Sequence, residues 1–72
     1  MSNTGVILVV DDEASIRTIA KAYLEQAGFR VVCVDNGAAA LHQAEADPPD
    51  LVLLDLNLPG MDGMEVAARL RE

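Results

Sequence analysis

Val6-Ile7-Leu8-Val9-Val10-Asp11-Asp12-Glu13 decides the reading of this chain. Five consecutive apolar residues, four of them β-branched, run without alternation. That is how a strand covered on both faces reads, and such strands belong to parallel sheets flanked by helices. The run stops at three carboxylates. Beyond them apolar residues recur at Ile16, Ile19, Ala20, Tyr23, Leu24 and Ala27. Steps of three and four are what one helix face requires, and Gly28 supplies the left-handed residue that closes such a helix.

Residues 29–34 form a second short β-branched stretch, and Asn36-Gly37 turns it into a helix with an inner stripe of Gly37, Ala40, Leu41 and Ala44. Pro48-Pro49 ends that helix, because proline cannot continue the hydrogen-bond ladder. Leu51-Val52-Leu53-Leu54 repeats the pattern of a doubly covered strand and, like the first, ends in an aspartate, Asp55. After the Pro59-Gly60 and Asp62-Gly63 turns, Asp62 and Glu65 are spaced to start a third helix, with Val66, Ala67 and Leu70 inward. Strand, helix, strand, helix, strand, helix predicts an α/β unit built on a parallel sheet.

At 72 residues the chain has room for one small domain, and a domain of that size buries only about 60% of its extended-chain surface. A hydrophobic share of 51%, with five glycines and three prolines, argues against disorder and low complexity. No apolar run approaches the roughly 20 residues of a membrane span. The N-terminus lacks the cationic and apolar regions of a secretory signal, so a cytoplasmic home is expected. Cys33 is the single cysteine, which excludes an internal disulfide and a cysteine metal cluster. Five basic residues against twelve acidic ones give a net charge of −7, with no Lys or Arg cluster for a phosphate backbone. No direct nucleic-acid partner is expected. A cation is the better small partner.

All strands of a parallel sheet end on one side, so Asp11, Asp12 and Asp55 emerge at one edge if the first and third strands are neighbours. The right-handed crossover rule, with a reversal of winding after the second strand, puts strand order 2-1-3 within reach and a cleft at the reversal. Two carboxylates about 4 Å apart repel by roughly 4 kcal/mol at an effective dielectric of 20. Three gathered together need a proton, a cation or a basic side chain. No Lys or Arg lies within a few residues of them, and Mg²⁺ suits one or two carboxylates with a phosphate-bearing substrate. Calcium fits less well, since the twelve-residue calcium loop is missing. With the ion's charge in place, a carboxylate oxygen can attack phosphorus. Asp55, alone at its strand end, is the candidate acceptor, and Asp11 with Asp12 the acidic pair for the ion.

Val9-Val10-Asp11-Asp12-Glu13 followed by Leu53-Leu54-Asp55-Leu56-Asn57-Leu58-Pro59-Gly60-Met61-Asp62-Gly63 resembles the receiver domain of two-component response regulators. The resemblance covers the whole chain. It implies the N-terminal three-stranded (βα)3 part of a flavodoxin-like, CheY-like doubly wound parallel sheet of order 2-1-3, the family supplying that order. It further implies that Asp55 accepts a phosphoryl group from a histidine kinase or phosphotransfer protein. Asp12 and Asp55 would ligate Mg²⁺ directly, Asn57 through its backbone carbonyl and Asp11 through water. Pro59 and Gly60 would shape the neighbouring loop, and Gly63 would start the third helix. Such a domain is a signalling module and not an enzyme.

Receivers of this kind carry a Ser or Thr after a fourth strand and a Lys after a fifth. Neither has a counterpart in residues 1–72: Thr18 and Lys21, the only lysine, are helix residues. The expectation is a truncated receiver, defective in its conformational switch. A third strand left at an edge, with residues 51–58 apolar except at Asp55 and Asn57, should recruit another strand, and a homodimer is expected. A structural or dimerising fragment without phosphorylation is the alternative. A haloacid dehalogenase-type phosphatase expects an Asp where Asn57 stands, and a dinucleotide-binding domain a glycine-rich loop where Asp11-Asp12-Glu13 stands. His42 is assigned to the exposed side of its helix, Cys33 to the core, Met61 and Met64 to covering their loop, and Arg69 and Arg71 to a solvated helix end.

Overall fold

The computed structural model describes residues 5–55 together with 68 and 69. Its elements are β1 (Val6–Val10), α1 (Ala14–Gln26), β2 (Arg30–Val34), α2 (Gly37–Ala46) and β3 (Leu51–Leu54). Ala68 and Arg69 are helical. The rest of the expected third helix, its Asp62 start and the Pro59-Gly60 loop lie outside the described residues.

The three strands form one sheet of order β2-β1-β3, parallel on both sides of β1. Val10 pairs with Val34 on one flank and with Leu54 on the other. The strand order is the expected one, and its cause is visible in β1. Ile7, Leu8, Val9 and Val10 are all at most 3% exposed, so this strand has helices above and below and strands on either side.

Side chains alternate across a strand, and Leu8 and Val10 point to α2. There Ala40 completes the buried core, with Val32, Val34, Leu41, Ala44, Val52 and Leu54 packed around it. The stripe read for this helix is therefore the face it buries. An Ala-rich helix lets the backbone approach the sheet closely. Asn36 caps it, its side-chain oxygen accepting from the Ala39 amide at 2.8 Å.

Ile7 and Val9 point to the opposite face, where α1 rests on β1 and β2. The ending of α1 follows its sequence. Gly28 has φ 99°, the Phe29 amide donates to the Leu24 carbonyl at 3.1 Å and the Gly28 amide to the Glu25 carbonyl at 3.0 Å. This is a Schellman closure, and it takes up Phe29, so β2 begins at Arg30 and not at 29 as the composition predicts.

Two expectations are corrected on this face. Leu51 and Leu53 are 52% and 42% exposed, so β3 is covered on the α2 side only and is not a doubly covered strand. The stripe of α1 is covered at Ala20 and Leu24 alone, and only partly, while Ile16, Ile19, Tyr23 and Ala27 are exposed. The cause is geometric: α1 sits over β1 and β2, and no described element spans the gap between it and β3. Cys33 is likewise half-buried, on a strand that is at the sheet edge among the described residues. His42 is exposed, as its helix position predicts.

Candidate phosphoacceptor and metal site

β1 ends at Val10, yet hydrogen bonding continues one residue further on both sides. The Asp11 amide donates to the Val34 carbonyl at 3.2 Å, and the Asp55 amide donates to the Val10 carbonyl at 2.9 Å. Asp11 and Asp55 are therefore fixed as extensions of neighbouring strands, before either chain leaves the sheet. The Asp11 side chain folds over the start of α1, its Oδ1 accepting from the Glu13 amide at 2.9 Å. Glu13 is the N-cap residue of α1 without a side-chain capping bond; its carbonyl accepts from the Ile16 and Arg17 amides.

The result is a cluster of Asp11, Asp12 and Asp55, in which one carboxylate oxygen from each lies within 4.8 Å of the others. Asp11 and Asp55 are half-buried and Asp12 is exposed. The cluster stands at the C-terminal end of the sheet, where open α/β sheets bind ligands. A groove lined by Val9, Ile16, Ala20, Leu53 and Leu54 runs from it between α1 and β3. Three of the four residues expected at the metal are thus brought together. The fourth, Asn57, lies outside the described residues.

The donor set fits Mg²⁺. It offers only carboxylate oxygen, the donor a hard cation takes, with one oxygen of each aspartate within 4.8 Å of the others. Carboxylates gathered this closely repel one another, and a bound cation relieves that repulsion. Arg30 and Asp47 form an ion pair at 2.9 Å, remote from this cluster in the fold.

The sequence reading missed Arg17. Its Nη1 donates to the Asp11 backbone carbonyl at 2.7 Å. The signal for it is slight: a long basic side chain on the second turn of a helix that follows an acidic strand end.

Among the described residues no helix is long and apolar enough to cross a membrane. The model of the response regulator receiver domain family matches residues 7–72. The chain is 48% identical over 66 residues to the alkaline phosphatase synthesis transcriptional regulatory protein PhoP of Bacillus subtilis, an alignment covering 92% of this chain and 28% of PhoP. It therefore spans less than a third of that relative. The response regulator TrrA of Thermotoga maritima, solved in complex with Mg²⁺ and BeF, superposes with a TM-score of 0.90 at 41% identity, over 94% of this chain and 59% of TrrA. TrrA in complex with the histidine kinase ThkA superposes with a TM-score of 0.89 over the same shares. Strand order, the converging aspartates and these matches agree, and the chain belongs to the response regulator receiver domain family of two-component signalling.

Proposed function

We propose that Asp55 is the phosphoacceptor, taking a phosphoryl group from a phosphohistidine of a histidine kinase or phosphotransfer protein, with Mg²⁺ held by Asp11, Asp12, Asp55 and Asn57. The observation that carries this reading is the approach of the three carboxylates to within 4.8 Å at the end of the sheet. A solved relative in complex with a histidine kinase and another state of it with Mg²⁺ and BeF add support.

In the proposed step an Asp55 carboxylate oxygen attacks phosphorus, a P–O bond forms, and the P–N bond to the donor imidazole breaks. The imidazole leaves with the bond's electron pair and takes up a proton. Bound Mg²⁺ would offset the charge that keeps an anionic nucleophile from an anionic phosphoryl group. The chain's own contribution is placement. The Asp55 amide is tied to Val10, so the carboxyl is held at the sheet edge, and the Asp11 carboxyl is turned by the Glu13 amide toward the helix start. Within residues 1–72 the Ser or Thr and the Lys of such domains have no counterpart. The proposed setting of this step is a cytoplasmic signalling domain that turns over no substrate.

A test is incubation with Mg²⁺ and a small phosphodonor such as acetyl phosphate. The expected product is a hydroxylamine-labile acyl phosphate on Asp55, and a label that withstands hydroxylamine would contradict the reading.

A second copy of the chain is the further partner proposed. β3 is a sheet edge among the described residues, Leu51 and Leu53 on it are exposed, and Ile19 and Tyr23 of α1 are exposed as well. Exposed edges and apolar faces favour association. Light scattering at micromolar concentration should give twice the mass of one chain; a compact species of 7.7 kDa would remove the dimer.

A further inference from the structure

We infer that Arg17 is a positioning residue for the metal site: its guanidinium pins the Asp11 carbonyl and thereby fixes the loop that presents Asp11 and Asp12. The inference rests on the reading of those aspartates as metal-binding residues.

The β1–α1 loop must hold two carboxylates against their mutual repulsion. Asp11 is held at three points. Its amide donates to Val34 at 3.2 Å, its Oδ1 accepts from Glu13 at 2.9 Å, and its carbonyl accepts from Arg17 Nη1 at 2.7 Å. The Arg17 contact is the shortest of the three, and a guanidinium donor makes it charge-assisted. It is also the one that acts on the peptide joining Asp11 to Asp12. Fixing that plane limits where the exposed Asp12 side chain can go.

Arg17 reaches this carbonyl because helical side chains lean toward the N-terminus of their helix. The residue is half-buried and anchored from behind. Its amide donates to the Glu13 carbonyl at 3.1 Å, and its own carbonyl lies 3.9 Å from Cys33 Sγ on β2. A lysine would keep the charge and an N–H donor for this carbonyl but lose the planar guanidinium fork.

Placement and charge act on cation affinity in opposite directions. Loss of the pin loosens the loop and weakens binding, whereas loss of a nearby positive charge strengthens it. At 0.15 M salt the Debye length is about 8 Å, so the charge of a half-buried guanidinium this close to the loop is screened only in part; loss of placement is inferred to outweigh it.

Mg²⁺ titration of Arg17→Leu and Arg17→Lys at 0.15 M salt is the test, read beside NMR amide exchange in the metal-free proteins. Arg17→Leu should bind Mg²⁺ about tenfold more weakly, the scale expected when a supporting contact to a metal site is removed. Arg17→Lys should recover most of that loss. In metal-free Arg17→Leu the Glu13 amide should exchange faster while the amides of Leu8 and Val9 keep their protection. Equal or tighter Mg²⁺ binding by Arg17→Leu would overturn the inference, as would faster exchange spread evenly over β1. If the unsubstituted chain takes up no Mg²⁺, the metal reading fails, and the Glu13 amide still decides whether Arg17 holds the loop. Should Arg17→Leu not fold, Arg17→Lys is judged on the same amide, which must then exchange at a rate close to that of the unsubstituted chain.

Discussion

The Asp55 amide donates to the Val10 carbonyl at 2.9 Å, one step past the Val10–Leu54 pair that ends the β1–β3 ladder. Because the Asp11 amide makes the matching bond to Val34 on the other flank, the sheet sets the backbone amides of both aspartates, and the β1–α1 loop then holds the Asp11 carbonyl and carboxyl. A site assembled this way inherits the rigidity of β1, the most buried strand of the sheet.

Substitution Asp55→Asn should abolish hydroxylamine-labile labelling by acetyl phosphate while leaving the circular dichroism spectrum unchanged. The amide keeps the size of the side chain and removes the nucleophilic oxygen charge. Undiminished label on Asp55→Asn would move the acceptor elsewhere.

Leu8 is 1% exposed and lies under Ala40 of α2. Truncation of a buried leucine to alanine costs about 2–5 kcal/mol, and a core of this size supplies little more than about 3–5 kcal/mol. Leu8→Ala should therefore lose its cooperative thermal transition, measured by circular dichroism. A Tm within a few degrees of the unsubstituted chain would show that the core extends beyond the sheet and α2.

Gly28 carries φ 99° in the closure of α1. An L-residue there costs about 1–2 kcal/mol, so Gly28→Ala should lower Tm clearly. Mg²⁺ affinity should stay the same, because the closure lies at the opposite end of α1 from the carboxylates.

The Arg30–Asp47 ion pair makes a contrast. Its side chains are 68% and 44% exposed, and exposed pairs contribute about 0–1 kcal/mol. Asp47→Asn should change a urea midpoint only slightly, and less still in high salt. A large loss would mean that Asp47 also serves the Pro48-Pro49 turn.

The meeting of Asp11, Asp12 and Asp55 was legible because two apolar runs each end in aspartate and parallel strands finish on one side, once the resemblance to receiver domains had supplied the strand order. The stripe of α2 was legible for a similar reason: Gly37 and Ala40 are small where the helix must approach closely. Periodicity was less informative for α1. It identifies the face a helix offers to a partner, and Ile16, Ile19 and Tyr23 are offered to a region that no described element covers. Continuous apolar composition misled at β3 in the same way, since Leu51 and Leu53 are uncovered on the α1 side. Arg17 escaped notice because its role depends on a side chain reaching back along the helix to a backbone atom, which residue type and spacing do not encode.

Isothermal titration with Mg²⁺ tests the central claim most directly, since everything rests on three carboxylates close enough to share one cation. The unsubstituted chain should bind one Mg²⁺, and Asp12→Asn and Asp55→Asn should each bind it at least about tenfold more weakly. Absence of uptake by the unsubstituted chain, or equal affinity in all three proteins, would contradict the account.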